Sequence, residues 1–344
     1  MKTLPSLTLY VPGLLGRRDL RASFRAEAAT QDLGLLAWFL SRARAEPLAG
    51  GHHGGLCALC GLEAEEERAL PLAALSRLGE EEGTPAGGCW LRADPVCLEA
   101  DRDCVVLRDR VVPAPDQVDS LLALLNGHLA EEGLRLEASA PERWYLSLAQ
   151  SRVPETWPLA HVLGQDIHPW MPAGTEGRRW RRLLNEIQML LHDCDINHAR
   201  RAEGSLPVTS LWPWGGGCLP PASSCPWSRL WGNDPLVRGL ARWGGISHGT
   251  LPGDGDALLN ELAGPSAHLV VEEGPWRETR LGEAEAWAAW LAAWQARWLA
   301  PLLAACRAGR LGGLALCDGA GRCYRLEGRW RRWWRRPRPF GDFL

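Results

Sequence analysis

The sequence predicts an α/β fold with a largely parallel sheet. Short, continuous apolar runs at residues 7–11, 267–272 and 311–317 suit central parallel strands, which are covered on both faces and need no polar side. Helical periodicity separates such runs, most clearly where Trp180, Leu183, Leu184, Ile187, Leu190 and Leu191 recur at three- and four-residue spacing. With 344 residues the chain is long enough for two domains of ordinary size, or for one large domain carrying an insertion.

The elements read in order as follows. Residues 7–11 form a buried strand that stops at Pro12-Gly13, and 33–43 and 70–78 are helices. A Pro/Gly-rich break covers 83–88. A mixed region follows, with strands around Trp90 and at 104–107, a helix over 115–132 and a strand at 144–148. That helix has Asp116 and Asp119 in its first turn and Gly133 after its end. Residues 267–272 are a central strand, and 311–317 another. Between them, 283–307 is a long helix whose Trp287, Trp290, Trp294 and Trp298 make one stripe, read as core.

Composition bounds the function. An apolar fraction of 46% and a charged fraction of 23% belong to a globular chain, and a net charge of -3 gives no overall pull toward nucleic acid or anionic membrane. No apolar run reaches bilayer-spanning length, and the N-terminal segment is too short for a signal peptide, so the protein reads as cytoplasmic. Its eleven cysteines then read as reduced, mostly buried thiols. Lys2 is the only lysine, and nineteen tryptophans have no complete physical explanation.

The most informative stretch is 185–217. After the helix come Asn197, Arg200, Gly204, Pro207 and a short strand, ending Leu211-Trp212-Pro213-Trp214-Gly215-Gly216-Gly217. This order resembles the Pro-Val-Asn, Arg, Gly, Pro, Trp-Leu-Trp-Gly-Gln-Gly segment of archaeal-type cofactor-independent phosphoglycerate mutases. It resembles still more closely the bacterial RpfE-type regulatory proteins. Weaker matches fall in the same order along the chain: 92–96 resembles Arg-Cys-Asn-Leu-Val, 161–172 the return from the inserted domain, 237–241 Ile-Lys-Gly-Ile-Gly, and 336–340 the terminal Asp-Pro-Val-Pro-Phe. The resemblance implies an alkaline-phosphatase-like core, residues 1–87 and 166–344, with helices on both faces of its sheet. A smaller α+β domain would be inserted at 88–165.

The mutase reaction needs two divalent metals and a hydroxyl nucleophile, the metals clamping the attacking and leaving oxygens. The resemblance places the first metal ligand directly after the first strand, where this chain has Pro12-Gly13 and no carboxylate before Asp19. The nucleophile belongs just before 58–62, where the chain reads Gly50-Gly51-His52-His53-Gly54, and no Ser or Thr occurs between Ser41 and Ser76. Late ligands are expected after the strand at 268–271, where Glu273 and Arg277 fall. Others belong after Cys317, where Asp318 is followed by Gly319 in place of histidine. Residues 330–336 supply no final histidine. The expectation is therefore a catalytically dead relative that needs no cofactor.

Other constellations point elsewhere. His52, His53, Cys57 and Cys60 have ligand types that suit zinc, although no fourth ligand is evident, and the alternative is buried thiols beside a glycine loop. Asn197, Arg200, Trp212, Trp214, Gly215, Gly216 and Gly217 would line a remnant anion pocket, since arginine beside glycine-rich backbone suits phosphate or carboxylate; a tight structural turn is the alternative. The Arg/Trp-rich run 329–336 can track nucleic-acid phosphates, or pack its tryptophans on the core, which is the favoured reading. The first functional reading is thus a non-catalytic, regulatory protein that binds a small anionic metabolite or a protein partner. Its alternatives are a metal-dependent mutase or phosphatase with relocated ligands, and a nucleic-acid binder acting through the C-terminus.

Overall fold

The computed structural model describes residues 4–16, 20–48, 51–80, 88–148, 153–262, 264–326 and 336–344, apart from the side chain of Arg277. Asp19, Gly50, most of the 83–88 break and all but Arg336 of the Arg/Trp-rich run lie outside the described residues. The chain divides into two compact units, Met1–Glu63 with Ala222–Leu344, and Ala64–Pro221.

The first unit is built on β1 (Ser6–Tyr10), β2 (Arg44–Pro47), β8 (Arg229–Trp231), β9 (Ser247–Gly249), β10 (Ala267–Val271), β11 (Gly313–Cys317) and β12 (Arg322–Leu326). Among the described residues these form one sheet in the order β2-β12-β11-β1-β10-β8-β9. The five strands from β11 to β9 run parallel, and the β11–β12–β2 end is antiparallel. The mixed α/β architecture with a mostly parallel central sheet is the one the apolar runs predict. β1 sits at its centre because Leu7, Leu9 and Tyr10 are all but fully buried, so neither face needs water.

The expected long helix is present as Ala284–Trp294, a π turn at Gln295–Leu299, and Ala300–Arg307. The π turn falls just before Pro301, which has no N–H to continue the ladder. Trp287, Trp294 and Trp298 are buried, and the half-buried Trp290 stacks on Trp294 with ring centroids 5.8 Å apart. The tryptophan stripe is core, as the spacing implies. Gln295 anchors the π turn to the helix Gly34–Arg42: its Oε1 accepts from the Leu36 N–H at 3.2 Å and its Nε2 donates to the Asp32 carbonyl.

The second unit holds β3 (Cys89–Asp101), β4 (Cys104–Arg110), β5 (Arg135–Ala140), β6 (Arg143–Leu148) and β7 (Ser210–Cys218), all paired antiparallel. β3 is thirteen residues long and takes β6 on one side and β7 on the other over its first half, then β4 over its second. The helices Pro115–Leu129 and Gly177–His192 contribute Leu121, Leu125, Leu129, Trp180, Leu183 and Ile187 to the core beneath this sheet. The unit is wider at both ends than the 88–165 expected of an insertion. β7 pairs with β3 along nearly its whole length, and the helix Leu72–Glu80 packs on both, so their burial makes them part of the same body.

Arg92 and Asp94 lie two apart on β3, hence on one face, and both are buried. Arg92 Nη2 reaches the Asp94 carboxylate at 2.7 and 2.8 Å, and Nε at 2.9 Å. The carboxylate also accepts from Trp214 Nε1 at 2.9 Å and the Trp144 N–H at 3.3 Å, and the guanidinium lies over the Tyr145 and Trp214 rings. Removing one member of such a pair leaves the other charged and unmatched. Asp94→Ala is expected to cost about 3–5 kcal/mol in urea unfolding, far more than a surface carboxylate change.

Burial and the nearby Arg229 hold His268 below the usual histidine range. Trp231 Nε1 donates to His268 Nδ1 at 3.2 Å, so the neutral ring carries its proton on Nε2, 2.7 Å from Ser266 Oγ. The unfolded chain takes up a second ring proton near pH ~6.5, whereas the folded chain resists it until lower pH. The contribution is therefore complete above that value and lost as pH falls below it. Melting temperature is expected to drop between pH 7.5 and 5.5, and His268→Gln to flatten part of that drop. His248, which burial shifts in the same direction, adds to the drop.

Candidate functional site

A metal-clamp site on a parallel sheet would be built from residues just beyond the carboxyl ends of the strands. Beyond β1 the chain turns at Pro12-Gly13. The Val11 N–H donates to Cys317 O at 2.9 Å and Gly13 N–H to Asp318 O at 3.3 Å. Gly13 has φ 84°, and a Cβ there would meet Trp276 Cα at 2.8 Å. Its carbonyl accepts from Thr279 Oγ1 at 3.1 Å and Trp287 Nε1 at 2.9 Å. The position where the resemblance puts a metal-binding carboxylate is thus backbone packed on backbone.

Beyond β11, Asp318 is present and only 2% exposed, but it faces inward. Its Oδ1 accepts from the Ala320 N–H at 2.8 Å and the Arg322 N–H at 3.1 Å, closing the turn to β12. Burial pushes its carboxyl above the usual range, against those hydrogen bonds. Gly319, at φ 66°, would place a Cβ 2.9 Å from both Pro12 Cα and Pro12 Cβ. No imidazole fits at that position. Among the described residues the donor set beyond β1 and β11 does not suit a pair of divalent metals: no carboxylate follows β1, no histidine follows Asp318, and Asp318 is bonded into the turn.

Tyr10 reaches from β1 under the loop that would carry the nucleophile, its hydroxyl lying 2.8 Å from His52 O and 3.1 Å from Gly51 O. The His52 ring meets His53 at 4.4 Å and Trp276 at 5.1 Å between centroids. These histidines, with Asp234 and Glu273, line a cavity of about 20 Å³, room for about one water molecule and no phosphate ester. Asp234 also caps the helix Pro235–Trp243 by accepting from the Leu236 N–H at 2.7 Å.

Cys57 and Cys60 are buried on and just after the helix Gly54–Leu59. Among the described residues no three His, Cys, Asp or Glu side chains gather as a metal-holding group. Cys60 instead meets Cys225. The Cys60 thiol donates to the Cys225 sulfur, which together with the Trp227 N–H pulls Cys225 down to about 7.

The residues expected to line a remnant pocket all lie in the second unit, and their side-chain hydrogen bonds go to different neighbours there. Asn197 Nδ2 donates to Leu191 O at 2.7 Å and Val208 O at 2.6 Å, while its Oδ1 accepts from the Val208 N–H at 2.8 Å. Arg200 donates to Leu206 O at 2.8 Å and Gln117 Oε1 at 2.7 Å. Trp212 Nε1 donates to Trp157 O at 3.0 Å, and Trp214 joins the Asp94 network. The three glycines lie within β7 rather than in a turn. A Cβ on Gly215 would meet Leu72 at 2.9 Å, one on Gly216 Val153 at 2.8 Å, and one on Gly217 Pro71 at 2.8 Å. They let the neighbouring chain approach the strand closely.

A larger polar cleft, about 780 Å³, lies in the first unit and was not foreseen. Arg21, Arg44, Arg322 and Arg338 line it, with Asp318, Asp342 and Tyr324. Arg338 is held over the Phe343 ring at 4.6 Å, and its N–H donates to Ser41 Oγ at 2.9 Å. The neighbouring Tyr324 phenol pushes the already high basicity of Arg322 further up. The four arginines come from separate parts of the chain, so no spacing pattern announces them. The Arg-Pro-Arg-Pro run at 336–339 was the one legible trace.

No family model matches the chain. The chain is 24% identical over 140 residues to a 2,3-bisphosphoglycerate-independent phosphoglycerate mutase of Methanosarcina mazei, a match covering 38% of this chain and 35% of that protein. It is 28% identical over 104 residues to 2,3-bisphosphoglycerate-independent phosphoglycerate mutase 2 of Methanothermobacter thermautotrophicus, covering 28% and 25%. The matched segment thus spans about a third or less of each relative's length. The PH0037 protein of Pyrococcus horikoshii shares the fold with a TM-score of 0.58 at 13% identity, over 99% of this chain and 92% of that one. Among the described residues no helix is long and apolar enough to cross a membrane.

The packing around Gly319 gives a direct test. Gly319→Ala is expected to destabilise the protein by on the order of 1–3 kcal/mol in denaturant unfolding, since it combines a left-handed backbone with contact on Pro12. An unchanged midpoint would mean that the turn has room for the missing ligand.

Proposed function

We propose that this chain is a non-catalytic relative of the cofactor-independent phosphoglycerate mutases, of the RpfE-type regulatory kind, and that it binds a small anionic metabolite. The carrying observation is the backbone-filled carboxyl end of the sheet, where Pro12-Gly13 and Gly319 exclude the side chains a two-metal clamp requires. The regulatory part rests on the resemblance at 185–217. The anionic ligand follows from the arginine-lined cleft, whose volume lies within the usual range for small-molecule sites. Planar guanidinium groups favour phosphate and carboxylate through paired hydrogen bonds. The cleft supports a ligand site in the first unit rather than around Arg200, whose guanidinium already serves Leu206 and Gln117.

Thermal shift with inorganic phosphate, 2-phosphoglycerate and 3-phosphoglycerate tests the reading. At ligand about 100-fold above Kd, linkage gives about 2.7 kcal/mol of stabilisation. The expected result is a dose-dependent rise that Arg44→Ala with Arg322→Ala abolishes and Arg200→Ala does not, with no mutase turnover in Mn²⁺ or Zn²⁺. Turnover dependent on metal would overturn the non-catalytic reading. A rise unaffected by the double substitution would overturn the cleft.

A further inference from the structure

Six of the described cysteines occur as pairs. One pair, Cys89 and Cys218, lies directly opposed where β3 meets β7, and the structure joins it as a disulfide, 3.9 Å between Cα atoms. This differs from the expectation that every thiol is reduced. The physical reason is register: two cysteines facing each other across an antiparallel pair need no chain movement to bond.

The same arrangement recurs in the first unit. Cys317 ends β11 and Cys323 opens β12, and the register sets them opposite each other. Asp318 N–H donates to Arg322 O at 3.1 Å, which makes Asp318 and Arg322 a hydrogen-bonded pair. The next pair inward, Cys317 with Cys323, is then a non-hydrogen-bonded one, the kind in which opposed side chains approach most closely. Their sulfurs are 2.6 Å apart and both residues are buried. The Asp318 carboxylate, through the Ala320 and Arg322 N–H groups, holds the intervening turn in the shape that keeps them there.

We infer that Cys317 and Cys323 form a dithiol–disulfide site that closes the turn 318–322. The oxidant is a small disulfide of the glutathione type. A thiolate of the pair attacks it and releases one small thiol, leaving a mixed disulfide on the protein. The partner sulfur then displaces the second small thiol. In sum two protein S–H bonds and one small S–S bond break, one protein S–S bond forms, and two electrons and two protons pass to the two departing thiols. Donation from the Cys317 thiol lowers Cys323 below the ordinary thiol value, in the direction the attacking role needs. Asp318 and Arg322 stand inside the closed turn and line the arginine cleft, so the bond fixes one wall of it.

Trypsin makes the site readable, because cleavage after Arg310, Arg322 and Arg325 puts the two cysteines on separate peptides, 311–322 and 323–325. Native protein is treated with oxidised or reduced glutathione, blocked with N-ethylmaleimide, digested and analysed without reductant. Most Cys317 is expected in a linked 311–322/323–325 species after oxidation. Dithiothreitol under native conditions is expected to convert it to the two alkylated peptides. Recovery of both peptides in alkylated form after oxidation would overturn the inference, as would Cys317 joined to another cysteine, or a link that native dithiothreitol leaves intact. Cys323→Ser is expected to abolish the linked species and leave the Cys89–Cys218 link in place. The peptide map of the wild type decides the question even if that variant does not fold.

Discussion

The carbonyl oxygen of Gly13 accepts from Thr279 and from the indole of Trp287, while its N–H donates to the carbonyl of Asp318. These bonds fix the path of the chain as it leaves the central strand. Trp287 belongs to the long helix and is fully buried, so the helix, the strand exit and the β11 turn are bound into one arrangement. Gly274 and Gly319 both come within van der Waals contact of Pro12, and neither has space for a side chain. Backbone groups bonded in this way would have to give up their partners before the junction could open to a ligand. The same packing holds the junction together and leaves Gly13 and Gly319 no room for side chains.

The arginine-lined cleft lies at the antiparallel end of the sheet. There β12 and β2 extend the parallel sheet, and the chain's last residues return beside them to form the arginine-lined cleft. Asp318 belongs to both places. It stands where the resemblance expects a metal ligand, yet its hydrogen bonds shape the turn that supports the cleft and sets Cys317 against Cys323. A residue kept in position but bonded to backbone is doing architectural work with the atoms a metal site would have used.

The second unit shows how one set of residue types serves two readings. Asn197, Arg200, the two tryptophans and three glycines have the residue types of an anion pocket, and all lie in this unit. Their donors meet carbonyls, Gln117 and Asp94, and the glycine faces meet Leu72, Val153 and Pro71. Composition alone cannot separate these cases, because a buried backbone carbonyl and a ligand oxygen ask for the same donor.

The sequence by itself determined the central strands, the tryptophan-striped helix, the helix at 115–132 and the α/β class, because burial imposes a period that neighbouring residues record. Set against the resemblance, it also reads as lacking the usual nucleophile and most metal ligands. Only the tertiary structure decided that Gly319 has no room for an imidazole, that Cys89 meets Cys218 across 129 positions, and that four distant arginines share one cleft. It also drew 64–87 and 166–221 into the second unit. Contacts between residues far apart in the chain depend on register and close approach, and those are set by the packing of whole elements rather than by any local pattern.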